Sequence, residues 1–163
     1  MGHVDRDLSI VQKGESFMEI TLRAIDSDNW HDCIKLTVSE EQKQNVAENS
    51  VSLAQAAYEK QWYPHGVYTN DMLVGFLMFG TDQETKRVEV CRFMIDMQHQ
   101  GKGYGKAALI KLFDLIKIRY GAISFYTSIV PENHAAKKLY ESAGFSMTGE
   151  VMWEELVMMK QIV

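Results

Sequence analysis

The run Gln100-Gly-Lys-Gly-Tyr-Gly105 places Gly101, Gly103 and Gly105 just ahead of a helical stretch, an arrangement suited to an anion. A glycine-rich turn that opens a helix presents backbone N–H groups at the positive end of the helix dipole, and it lacks the Cβ atoms that would keep a phosphate away. Two common phosphate loops do not fit. The dinucleotide pattern GxGxxG fails because Lys106 stands at its third glycine and the next strand offers no acidic residue for a ribose. The Walker pattern fails because the run from Gly101 to Lys106 is one residue short, and Ala107 replaces the magnesium-binding hydroxyl. What remains is Gln-x-x-Gly-x-Gly.

A second group follows in the chain. Within Pro131 to Phe145, residues Asn133, Ala136 and Tyr140 recur at i, i+3 and i+7, so they share one helix face. Tyr140 brings a hydroxyl with an ordinary pKa of about 10, a group able to donate a proton. The same residues also have an unreactive use, Asn133 as a helix cap and Tyr140 as a core aromatic.

Positioning these groups requires an α/β arrangement. An alternating stretch after Met18 reads as a first strand, and helices follow, one around Trp30 to Val38 and one from Ser50 to Lys60. Asn70-Asp71 sits as a hairpin turn between two apolar runs spanning Gly66 to Phe79, and Arg87 to Ile95 is a further β-rich run. The glycine loop then opens an amphipathic helix with Leu109, Leu112, Phe113 and Ile116 on one face, stopped by Gly121. A strand from Ala122 to Val130, a helix from Asn133 to Ser142, and strands at Phe145 to Met147 and Glu155 to Lys160 complete the chain. The expected fold is a mixed, largely antiparallel central sheet flanked by helices on both faces. Residues 1–17 read as an N-terminal extension, natural or added, and residues 18–163 as a single domain.

Composition narrows the function classes. With 46% apolar and 24% charged residues the chain is globular in character, and a formal charge of −5 disfavours a phosphate-tracking nucleic-acid binder while permitting a cationic substrate. Cys33 and Cys91 lie far apart without ligand spacing, and the histidines form no HExxH pattern, so neither a disulfide framework nor a metal site is expected. No apolar run reaches the roughly 20 residues that span a bilayer, and the expected compartment is the cytoplasm.

The spacing of Gln100, Gly103 and Gly105 resembles the pyrophosphate-binding loop of the GCN5-related N-acetyltransferase (GNAT) superfamily, where the loop follows a bulged strand and opens a long helix. Asn133-x-x-Ala-x-x-x-Tyr140 followed by Gly144-Phe145 resembles a second motif of the same superfamily. The resemblance runs over essentially the whole chain from Met18, and is similar in particular to bacterial spermine/spermidine acetyltransferases. Its further carriers are Thr37 to Gln42, Trp62 to Tyr68, Leu73 to Phe76, Arg92 to Asp96, and Gly149-Glu150.

That resemblance implies the GNAT fold, acetyl-CoA as acetyl donor, and transfer to a primary amine by direct attack. It implies cofactor contacts from Gln100, Gly101, Lys102, Gly103, Tyr104, Gly105 and Lys106, and from Asn133, Ala136 and Tyr140, with Tyr140 near the sulfur as general acid. It places the bulged strand at Phe93, Met94 and Ile95, whose backbone groups would pair with the pantetheine arm and the thioester carbonyl. Glu89 stands at the position of a glutamate base in histone-directed relatives, and strand alternation would put it on one face with Cys91, Phe93 and Ile95; ordered water is the alternative base. A small polyamine such as spermidine or spermine would need carboxylates and aromatic faces, available at Glu40, Glu41, Glu59, Trp62, Tyr63, Glu150, Glu154 and Glu155. Other readings stay open: an aminoglycoside, an amino acid or a protein N-terminus as acceptor, or a non-catalytic acyl-CoA-binding sensor. Superfamily members are commonly homo-oligomers, so a dimer is expected.

Overall fold

The computed structural model describes residues 19–163. The expected extension at residues 1–17 and the domain start at Met18 lie outside that range. The elements run β1 (Ile20–Ala24), α1 (Trp30–Lys35), α2 (Asn49–Tyr58), β2 (Trp62–Thr69), β3 (Met72–Thr81), β4 (Val88–Ile95), α3 (Tyr104–Tyr120), β5 (Ile123–Ile129), α4 (His134–Ser142), β6 (Ser146–Met152) and β7 (Glu155–Ile162). A 3-10 turn at Glu40–Gln42 interrupts the segment between α1 and α2. The strands form one sheet in the order β1-β2-β3-β4-β5-β7-β6, in which every neighbouring pair is antiparallel except β4 and β5.

Two apolar clusters explain why helices cover both faces. Leu109, Leu112, Phe113 and Ile116 of α3 pack with Leu77, Phe79, Phe125 and Met158 of the sheet. On the opposite face Cys33 of α1 and Leu53 and Ala56 of α2 pack with Phe76, Met78 and Trp62. Burying such side chains stabilises by about 1.5–3 kcal/mol each, so both layers are held mainly by removal of apolar surface from water. None of the described helices is long and apolar enough to cross a membrane.

Some elements differ from the sequence expectation. Helix α1 ends at Lys35 rather than near Val38, because the chain beyond it is tied to the end of β4: the Thr37 N–H donates to Asp96 Oδ1 at 2.9 Å, and the Met97 N–H donates to the Thr37 carbonyl at 2.8 Å. Strand β6 is longer than the expected Phe145 to Met147, and it continues past a register break between Met147 and Val151 around Gly149, whose φ is +86°.

The β3–β4 contact is close enough to test. A Cβ added at Gly75 would meet the Met94 carbonyl oxygen at 2.6 Å and the Ile95 side chain at 2.7 Å. Gly75→Ala is therefore expected to lower unfolding stability by about 1–3 kcal/mol through overpacking. Urea unfolding measures it, and an unchanged midpoint would show that β3 and β4 can part without cost.

Candidate active site

Strands β4 and β5 run parallel but pair only at Val88 with Phe125 and Glu89 with Tyr126. Beyond that point they diverge, and a cleft opens between them. Its β4 wall carries an irregularity: Met78 faces Arg92 and Phe79 faces Val90, so Cys91 is an unmatched residue in a β-bulge. The bulge therefore lies two residues before the expected Phe93 to Ile95. It also reverses the alternation. Val88 and Val90 pack on the α3 face together with Phe93 and Ile95, whereas Cys91 and Met94 pack on the α1–α2 face. Glu89, between Val88 and Val90, thus shares a face with Cys91 and not with Phe93 and Ile95.

Two cavities of about 360 and 430 Å³ occupy the cleft and share Asn45, Val46, Phe93, Asn133, Ala136 and Tyr140 in their walls. The first extends from Phe93, Met94 and Ile95 to Gln100, Gly101, Gly103, Tyr104, Gly105 and Lys106. The second extends toward Cys91, Arg92, Thr127, Ser128 and Glu155. Tyr140 stands where they meet. Of the residues expected around the glycine loop, only Lys102 is outside the cavity walls, with its side chain exposed.

The loop geometry fits a pyrophosphate. Gly103 immediately precedes α3 with φ +82°, and no side chain caps the helix, so the N–H groups of its first turn are available to an anion. Gly101 has φ +76°, and a Cβ there would point into open space. Gly105 is needed for another reason, since its Cβ would press on Leu139 of α4 at 3.3 Å. Gln100 fixes the turn: its side-chain amide donates to the Ile95 carbonyl at 2.9 Å and exchanges hydrogen bonds of 3.0 and 3.1 Å with the Gln42 amide. That pair draws Gln42, Asn45 and Val46 over the first cavity.

Asn133 caps α4, its Oδ1 accepting the Ala136 N–H at 3.2 Å, while still lining both cavities. Tyr140 is 7% exposed, packed edge-on against Phe145 and tilted against Phe93. Burial pushes its phenol up to about 12. Glu89, half-buried at the last β4–β5 pair and outside both cavity walls, is pushed up to about 7, first by burial and then by the carboxylates of Asp82 and Glu155, against the pull of Arg92 and Arg87. Glu155 lines the second cavity and accepts the Ser128 hydroxyl proton at 2.7 Å.

Of the expected acceptor residues, Glu155 lines the second cavity and the others are in neither cavity wall. Glu40 and Glu41 are exposed on the 3-10 turn, and Glu40 is ion-paired with Lys43. Trp62 is 6% exposed in the α1–α2 core, where an indole can be packed but not offered to a ligand. Tyr63 lies under the Arg119 guanidinium at 3.7 Å and packs against the α3-side core. Glu150 forms a bidentate pair with Arg87 at 2.8 and 3.1 Å, which already satisfies its charge. Among the described residues, no group of three or more His, Cys, Asp or Glu side chains could hold a metal ion.

Residues 24–145 match the acetyltransferase (GNAT) family. This chain belongs to that family. Over 152 residues it is 34% identical to the spermine/spermidine N(1)-acetyltransferase of Bacillus subtilis strain 168, covering 89% of this chain and 100% of the relative. The probable spermine N(1)-acetyltransferase of Bacillus subtilis subsp. natto matches equally well. Among solved structures, the Vibrio cholerae spermidine N-acetyltransferase in complex with CoA and spermine superposes with a TM-score of 0.69 at 17% identity, covering 88% of this chain and 95% of that one. An aminoglycoside acetyltransferase in complex with coenzyme A superposes with a TM-score of 0.73 at 15% identity, with the same coverage. At those identities the likeness is one of fold. As a GNAT member the chain is an acetyl-CoA-dependent N-acetyltransferase.

The loop geometry makes a direct prediction. Gly103→Ala forces a side chain into a left-handed conformation and should weaken coenzyme A binding by about tenfold or more, with only a small loss of stability. Isothermal titration calorimetry measures it. An affinity within twofold of wild type, an approximate limit set by ordinary error, would remove the glycine loop from the cofactor site.

Proposed function

We propose that this enzyme moves the acetyl group of acetyl-CoA onto a primary amine of a small polyamine, spermidine or spermine, by direct attack. The observation that carries the reading is the placement of a half-buried glutamate at the last β4–β5 pair and a buried tyrosine at the junction of the cleft's two cavities. The glycine loop and α3 would hold the pyrophosphate, Asn133 and Ala136 the arm beyond it, and the β4 backbone past the bulge the thioester carbonyl.

An alkylammonium titrates near 10.4 and is mostly charged at neutral pH, so its proton must be taken before it can attack. Glu89, near 7, takes it either directly or through water. The free amine attacks the thioester carbon, the C–S bond breaks, and Tyr140 gives its hydroxyl proton to the departing sulfur. A second proton leaves the acylated nitrogen and restores the phenol through water. Glu155 in the wall of the second cavity supplies negative charge for a further ammonium of the substrate. A polyamine is favoured over an aminoglycoside because the relatives of 34% identity over the whole domain are named for spermine, whereas the aminoglycoside enzyme shares the fold at 15%.

The test is release of coenzyme A with spermidine, spermine, an aminoglycoside and a lysine peptide as acceptors. Turnover restricted to the last two would overturn the polyamine reading. Tyr140→Phe should cut kcat by about 10²–10⁴-fold while coenzyme A still binds; an unchanged kcat would exclude Tyr140 as the acid. The pH profile reports on the base. Glu89 must be ionised to accept a proton and its pKa is raised to about 7, so the rate should climb as pH rises through that value. Glu89→Gln should lower the rate and abolish that limb, leaving only the rise from the amine itself. A limb that persists in the glutamine variant belongs to another group.

A further inference from the structure

The segment between α1 and α2 borders the cleft along both of its cavities. Gln42 lines the first, Lys43 and Ala47 the second, and Asn45 and Val46 both. A further cavity of about 350 Å³ lies behind the segment, against Val46, Ala47 and Asn49. With open space on two sides, close packing cannot fix this stretch by itself, and polar ties must do part of that work. Among the described residues, its hydrogen bonds to the start of the glycine loop come from the Gln42 side chain.

The two amides are oriented before they meet. Gln100 Nε2 donates to the Ile95 carbonyl at 2.9 Å, so its nitrogen must face that way. Gln42 Oε1 accepts the Ser39 N–H at 3.2 Å, so its oxygen must face the other. The second proton of Gln100 Nε2 then reaches Gln42 Oε1 at 3.0 Å, and Gln42 Nε2 donates to Gln100 Oε1 at 3.1 Å. Turning either amide over would set oxygen against oxygen and nitrogen against nitrogen. Glutamate at position 42 would lose the donor, and asparagine would fall a methylene short.

We propose that Gln42 is a positioning residue that couples cofactor binding to the acceptor cavity: it holds Gln100 at the start of the glycine loop, and in being held it sets Lys43 to Ala47 in the second cavity's wall. The inference rests on that cavity taking the amine. A pyrophosphate that settles the loop also settles the segment, and an amine lodged against the segment steadies the loop, since coupling between two sites is reciprocal.

The test reads the Kd for coenzyme A by calorimetry and the KM for spermidine at saturating acetyl-CoA. Gln42→Ala should raise both by about fivefold, the loss expected for a hydrogen bond or two, while kcat with both substrates saturating falls by less than about twofold. Gln42→Asn should raise both as well, and it serves in place of the alanine variant if that one folds poorly. Gln100→Ala should raise both at least as far, and adding Gln42→Ala to it should cost nothing more, because the pair is already broken. Losses that add in the double variant would overturn the proposal, as would a raised Kd beside an unchanged KM, which would leave Gln42 serving the loop alone. If spermidine is not acetylated but another amine of the panel is, the polyamine reading fails, and the same KM comparison with that amine decides the role of Gln42 separately.

Discussion

Two adjacent parallel strands that cease to share hydrogen bonds must satisfy their backbone groups some other way, and the parting of β4 from β5 is the constraint on which the site depends. An unpaired buried backbone group costs about 1–3 kcal/mol, so a parting this early would be unfavourable if nothing replaced the ladder. The outer edges stay secure, since β4 is paired with β3 from Val88 to Ile95 and β5 with β7 from Ile123 to Ile129. Along the inner edge, side chains take over some of the carbonyls. Thr127 reaches Val90, Arg92 reaches Cys91, and Gln100 reaches Ile95. The cleft is thus a place where backbone polarity is kept available to a ligand by a sheet that is anchored on both sides.

Helices convert that opening into a shaped site. α3 starts at the mouth of the cleft and runs along the face beside it, while the bare Gly105 allows α4 to approach through Leu139. α4 in turn carries Asn133 and Tyr140 on the side facing β4, where Phe93 and Phe145 hold the tyrosine ring. The segment after α1 closes the other side, bound through Thr37 to Asp96 and through Gln42 to Gln100. Apart from that of Tyr140 with Phe145, these contacts join residues far apart in the chain, so the site exists only when the whole domain has folded.

That distinction also separates what the sequence made legible from what it did not. The glycine loop, the Asn133–Tyr140 face and the two apolar faces of the sheet depend on spacing within one segment, and they could be read directly. The bulge could not, because an unmatched Cys91 is defined only against the register of β3. Its consequence for Glu89 follows: simple alternation assigns the wrong strand face once an extra residue intervenes. Glu155 reached the second cavity, but most of the other expected acceptor residues did not, for a related reason. Composition offered glutamates and aromatics, but Trp62 went to the core, Tyr63 to Arg119 and Glu150 to Arg87, partners that no local pattern announces. The tight β6–β7 turn was equally hidden, since Trp153 and Glu154 both adopt positive φ without the usual asparagine or glycine.

Burial acts on the two titrating groups of the cleft in the same direction and suits them to opposite tasks. Taking charge out of water disfavours the ionised form of any acid, and both Glu89 and Tyr140 are raised by it first of all. For a carboxyl that starts near 4.5, the rise to about 7 gives a group that is partly ionised at neutral pH and holds a captured proton better than an exposed glutamate would. For a phenol that starts near 10, the rise to about 12 guarantees the protonated state before reaction, but makes the anion harder to form. The first shift needs no further help. The second leaves a climb to be met inside the cleft, where Tyr140 borders both cavities and so stands open to the ligand and to water.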